Sequence, residues 1–184
     1  MSTSLIILGV LALILVLMYN SLVGKKNQVE NIFASVDTVF KKRYDLIPNL
    51  VASVSKYMEH EKSLLEEVTK LRSEATKPNL SDAHKIALDA KVTSALGSIM
   101  VAVEAYPELK ANENVMHLQH TLHEVEEQIS AARRAYNQAV TDYNNAIEMI
   151  PTSFMASLMH YGRKQVFEID VSERQNVNVK ELFS

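Results

Sequence analysis

The sequence predicts an all-α protein: an N-terminal transmembrane helix continuing into an antiparallel bundle of long helices, with a short extended C-terminal tail. Three observations predict it. The run from Leu5 to Met18 is wholly apolar or Gly, and apolar residues then recur at alternating steps of three and four. Only four Gly and four Pro interrupt 184 residues that are 47% hydrophobic, which argues against a turn-rich sandwich or a disordered chain.

The apolar run comes first. Tyr19, Leu22 and Val23 prolong it to about the 20 residues a helix needs to cross a bilayer. A cleaved signal peptide normally has a basic leader, a shorter apolar core and a small-residue cleavage site, whereas Met1 to Ser4 carry no charged side chain and no such site closes the run. A retained anchor is expected. Lys25 and Lys26 follow the span at once, and Lys41, Lys42 and Arg43 come soon after. The positive-inside rule therefore puts the bundle in the cytoplasm. The organisation expected is a short exposed N-terminus at 1–4, a transmembrane helix at 5–24, a bundle at 25–160 and an extended tail at 161–184.

From Val29 onward a heptad seam runs through Phe33, Val36, Phe40, Ile47, Leu50, Val54, Tyr57, Leu64, Val68 and Leu71, interrupted at Arg43 and Glu61. No residues are inserted or lost, so Asn27 to Thr76 can form one helix about 75 Å long at 1.5 Å per residue. Pro48 either kinks that helix or, with Asp45 as a cap, opens a restarted one. Lys77-Pro78-Asn79 then breaks the pattern, and Ser81-Asp82 offers an N-cap for a second helix to about Ala105, with Ile86, Val92, Leu96, Ile99, Met100 and Val103 on its apolar side. Tyr106 is pushed out of the α region by Pro107, which can open the third helix. There Val115, Leu122, Ile129, Tyr136, Tyr143 and Ile150 repeat every seven, interleaved by Leu118, Val125, Ala132, Ala139 and Ala146, until Pro151. A helical turn is expected from Phe154 to His160. Beyond Gly162, Val166, Phe167, Ile169 and Val171, then Val177, Val179 and Leu182, alternate as docked strand-like coil.

Charge and composition exclude several functions. Nineteen basic against 22 acidic side chains give a formal net charge of -3, too balanced for a nucleic-acid protein. The absence of Cys removes thiol chemistry and Cys-ligated metals. No phosphate loop or nucleophile elbow is present, so no catalytic residue and no cofactor are expected. His117, His120 and His123 invite a metal site, with Glu124 and Glu127 as extra ligands, but the heptad places them on the outer face, where a solvated cluster explains them. Glu61, beside Glu59 and His60, occupies a seam position. Arg133 is its expected partner across the bundle, since an unpaired buried charge is costly. Asn20, Asn137 and Asn144, each following a Tyr, are suited to tie helices together by hydrogen bonds, or to meet a partner. Lys25 and Lys26 suit anionic headgroups as well as topology marking.

These residues also carry a resemblance. Tyr19-Asn20-Ser21-Leu22-Val23, the run from Arg43 through Tyr44, Asp45, Leu46, Ile47, Pro48, Asn49 and Leu50 to Val51, His60-Glu61, the Tyr106-Pro107-Glu108-Leu109-Lys110-Ala111 run, Arg133, and Tyr136-Asn137 with Tyr143-Asn144 before Pro151 resemble the LemA family of bacterial membrane proteins. The resemblance covers nearly the whole chain; the His-rich stretch lies outside its pattern. It implies a bacterial inner-membrane protein with its N-terminus outside, one transmembrane helix and a cytoplasmic bundle, and no established enzyme activity. A magnetosome-membrane relative is associated with membrane invagination, which favours an assembly role.

Three functions follow. The first is a non-enzymatic scaffold whose copies, held parallel by their anchors, pack side by side as a homo-oligomer that organises or remodels the membrane. The second is an adaptor recruiting a membrane protease or another integral membrane protein. The third is metal binding by the surface histidines. The bilayer and further copies of the chain are the expected partners, other membrane proteins are alternatives, and nucleic acid is not expected.

Overall fold

The computed structural model describes residues 2–167. The alternating positions Ile169, Val171, Val177, Val179 and Leu182 lie outside the described residues. Among the described residues six helices follow one another: α1 (Ser2–Val54), α2 (Lys62–Ala75), α3 (Asp82–Val103), α4 (Pro107–Lys110), α5 (Glu113–Glu148) and α6 (Thr152–Leu158).

α1 changes character without a break. Leu5 to Leu17 are exposed on every side, whereas from Leu22 the burial follows the seam through Val29, Phe33, Val36, Phe40, Ile47, Leu50 and Val54. A helix apolar all round suits lipid, and one with a single stripe suits a bundle. The helix also runs through Pro48. Proline removes the amide hydrogen that would bond the carbonyl four residues earlier, here Tyr44, and Arg72 Nε of α2 donates to that oxygen at 2.9 Å instead. Asp45 caps nothing: it lies within α1 and pairs with Lys41 at 2.6 Å.

The single helix expected from Asn27 to Thr76 is not found. α1 stops at Val54, residues 55–61 turn the chain, and α2 folds back so that Arg72 reaches Tyr44. The reason lies in what is available to pack against. Phe33 meets Tyr136 and Arg43 meets Glu126, so α5 runs antiparallel to α1, and the same register sets Val115, the first buried residue of α5, level with Val54. A longer α1 would have overshot its partner and left its apolar stripe in water. Reversal instead buries Met58, Leu65, Val68 and Leu71. Periodicity names the apolar face but is indifferent to a reversal that keeps that face inward.

α3 runs parallel to α1, since Lys85 pairs with Asp37 and Arg43 with Asp89. The result is an up-down-up-down bundle of four helices, α1, α2, α3 and α5, rather than three. Ser81 caps α3 by accepting from the His84 amide at 3.3 Å. α3 is long and apolar enough to span a membrane by composition, yet its Leu88, Val92, Leu96, Ile99 and Val103 are buried in the bundle. Pro107 opens only the one-turn α4, not the third long helix; Asn112 caps α5, accepting from the amides of Asn114 and Val115. Nor does Ile150 belong to the seam, for α5 ends at Glu148 and Ile150 is 79% exposed. Beyond α6 the chain runs back along α5 without regular structure from Tyr161 to Phe167.

Candidate functional site

The most unusual group of side chains is a buried charge cluster at mid-bundle. Arg43 fills the seam position of α1 between Phe40 and Ile47. Asp89 lies seven residues before Leu96 and fourteen before Val103 on the buried track of α3, and Glu126 and Arg133 stand seven apart on α5. Heptad spacing on three helices thus brings four charges to one level. Arg43 and Asp89 are each 1% exposed and form a direct ion pair, and Arg133 holds the second Asp89 oxygen. Arg43 Nη1 also donates to Glu126 Oε2 and to Thr93 Oγ1, both at 2.8 Å. Two cations and two anions leave the cluster neutral.

Aromatic rings enclose it. The Arg43 guanidinium carbon lies 5.8 Å from the Phe40 ring centre and 6.0 Å from that of Tyr44, and Arg133 lies 5.7 Å from Phe167. Burial pushes the Asp89 carboxyl above its usual range against the opposing pull of Arg43 and Arg133. Burial, with the nearby Asp89 charge adding to it, raises the Tyr44 phenol to about 12. Among the described residues, neither Arg43 Nε nor Arg133 Nε has a hydrogen-bond partner. Guanidinium groups keep their charge near neutrality, and both Asp89 oxygens are taken, so the arrangement is suited to holding α1, α3 and α5 in register.

Arg133 is therefore not the partner of Glu61. It turns to Asp89 and lies 4.0 Å from Glu126, while Glu61, in the turn between α1 and α2, accepts from the Tyr106 hydroxyl at 2.6 Å. Asp89, already buried beside Arg133 on the neighbouring helix, satisfies the cation more cheaply than a turn residue. The hydrogen bond to Glu61 raises the Tyr106 phenol pKa, with burial adding to it. Pro107 sits beside this contact at the start of α4.

Asn137 and Asn144 tie down the tail rather than another helix. Asn137 donates to the Phe167 carbonyl at 2.9 Å and accepts from its amide at 2.7 Å; Asn144 does the same with Lys164, both at 3.0 Å. Each amide acts as a short piece of strand edge. Seven helical residues advance about 10 Å, as do three extended ones, so the two asparagines match Lys164 and Phe167 in step. Tyr143 adds a hydrogen bond to the Gly162 carbonyl at 3.1 Å, and Tyr136 packs edge-on against Phe167 and Phe33.

Elsewhere, Asn20 and Asn49 are exposed, and Lys25 and Lys26 are half-buried, with Lys26 3.3 Å from Glu30. His117, His120 and His123 are exposed on α5. His120 and His123 face Glu124 and Glu127 at 3.6 and 3.7 Å, and among the described residues no three His, Asp or Glu side chains converge as a metal site would need. Sequence reasoning missed Asp89, Thr93 and Glu126. The signal for Asp89 was its place on the 89–96–103 track, an acid where an apolar residue belongs, opposite a seam interrupted by Arg43.

The model of the LemA family matches residues 32–180, and the chain belongs to that family. The chain is 31% identical over 80 residues to magnetosome proteins MamQ 2 and MamQ 1 of Paramagnetospirillum magneticum, a stretch covering 44% of this chain and 29% of each relative. It is 29% identical over 79 residues to magnetosome protein MamQ of Magnetospirillum gryphiswaldense, covering 43% of this chain and 29% of that one. The match thus spans under a third of the relatives' length. Family membership and the exposed apolar start of α1 make this a membrane-associated helical protein.

Proposed function

We propose that this LemA-family chain is a non-enzymatic scaffold whose bundles, held upright on one membrane, pack side by side and organise it. One observation carries the reading: α1 is a single helix from Ser2 to Val54. At 1.5 Å per residue that is about 80 Å, with no hinge between the apolar segment and the bundle. Tilt of the anchor therefore becomes tilt of the bundle, and contacts between bundles become a bend in the membrane. The neutral charge cluster and the cap on the Tyr44 carbonyl stiffen the same helix. The basic residues Lys25 and Lys26 favour the cytoplasmic face for the bundle. The similarity to proteins named for the magnetosome supports the reading.

Electron cryomicroscopy of the full-length chain in lipid nanodiscs, with crosslinking in native membranes, tests this. Repeating arrays or rings of bundles are expected. A monomer in both experiments would defeat the scaffold and transfer the weight to an adaptor that recruits another integral membrane protein.

A further inference from the structure

The turn after α5 and the helix α6 present Met149, Ile150, Phe154 and Leu158, which are 63 to 79% exposed. Outside the Leu5–Tyr19 band, the other large apolar side chains exposed among the described residues are Val101 at 75%, Met116 at 47% and Val166 at 40%, and those are scattered. Four within ten residues form a patch, and a patch of this kind marks a contact surface.

Its position names the contact. Phe33 lies against Tyr136 and Arg43 against Glu126, and this register carried down the bundle sets Ile147 level with Leu22. Leu22 is fully buried and is the first core residue after the apolar band of α1, while α6 packs against both α1 and α5. The turn at 149–151 therefore falls level with about Tyr19, where the exposed band of α1 begins. Patch and band are continuous. Lys25 and Lys26 lie immediately above, where they can meet headgroups.

We propose that the α5–α6 tip inserts into the interfacial region of the leaflet facing the bundle, giving the protein a second, monotopic contact with the lipid bilayer. Two contacts fix rotation about α1 as well as tilt: a lone helix can spin in the bilayer, but one whose bundle dips a foot beside it presents one face in one direction. The tip rests on α1 entering lipid and not on self-assembly.

The chain has no native Cys, so single spin labels can be placed by Ile150→Cys, Phe154→Cys, Leu17→Cys and His120→Cys, all at exposed positions. The full-length protein is reconstituted in phosphatidylcholine and phosphatidylglycerol vesicles, and power-saturation measurements compare access by oxygen, which favours lipid, with access by a water-soluble nickel chelate. Oxygen should predominate at 150 and 154 as at 17, and nickel at 120. Nickel predominating at 150 and 154 while oxygen still predominates at 17 overturns the tip and leaves the anchor. Spin-spin broadening at 150 and 154 that vanishes on dilution with unlabelled protein also overturns it, because a second copy then covers the patch. Nickel predominating at 17 overturns anchor and tip together.

Discussion

Pro48 and Arg72 are coupled through an atom that belongs to neither: the Tyr44 carbonyl, which proline deprives of its helical donor, accepts from Arg72 Nε at 2.9 Å. A buried backbone acceptor without a partner costs about 1–3 kcal/mol, so Arg72 is the reason that α1 tolerates an interior proline. Replacing Arg72 by Met should therefore destabilise the protein by about 1–3 kcal/mol, and much less in a Pro48→Ala background, where the residue 48 amide can take over the carbonyl. A double-mutant cycle by thermal or chemical unfolding reads the coupling; additive effects would refute it.

Asp89→Asn removes one charge from a neutral cluster and leaves Arg43, 1% exposed, with Glu126 as its one charged partner among the described residues, beside the Thr93 hydroxyl and the carbonyl of residue 89. Breaking a buried pair from one side costs about 3–5 kcal/mol, a large share of the about 5–15 kcal/mol that holds a domain together. The double change Arg43→Met with Asp89→Leu should recover most of it, since Arg133 can still turn to the half-exposed Glu126. Circular-dichroism melts of the three proteins decide this. Equal losses in the single and double variants would mean that the cluster matters by shape alone.

Which parts of this were legible beforehand follows from what periodicity encodes. The seam positions of α1 and α5, from Val29 to Val54 and from Val115 to Tyr143, are buried as their spacing requires, because a heptad repeat directly names an inward face. The turn after Val54 was not legible: Ser55 to Glu61 contain neither Gly nor Pro, and what ends α1 is the end of α5, a tertiary fact. Arg43 is visible in the sequence as an interruption of the seam, but periodicity names no partner for it, and the cation it suggests opposite Glu61 is Arg133. Helix reversal moved Glu61 to the far end, and the acid that met Arg43 sat on a helix whose apolar pattern already looked complete without it. The asparagines were legible as hydrogen-bonding residues; that they bind an extended segment required knowing that the chain returns along α5.

Asn137→Ala should release that segment. Two hydrogen bonds to Phe167 are lost, and about 1–3 kcal/mol of local stability with them. Asn137→Asp keeps the acceptor for the Phe167 amide but loses the donor to its carbonyl, so it should fall between. Hydrogen exchange separates the cases: the Phe167 amide should lose protection in the alanine variant and keep part of it in the aspartate variant. Unchanged protection in the alanine variant would show that ring packing with Tyr136 and Phe40 holds the segment without Asn137.

The buried tyrosines set an alkaline limit. Burial raises Tyr44 and Tyr136 to about 12, with the charges of Asp89 and Asp82 adding to the respective shifts. A phenol whose folded pKa lies above its unfolded value of about 10 stabilises the fold fully below pH 10, and that contribution is lost as pH rises from about 10 through about 12. Unfolding should therefore set in across this window. Tyr136→Phe keeps the rings packed against Phe33 and Phe167 and removes one phenol that must ionise. Its alkaline midpoint, followed by circular dichroism, should move to higher pH while its melt at neutral pH stays close to that of the parent. A midpoint that does not move would mean that other groups, and not the buried phenol at 136, govern unfolding in base.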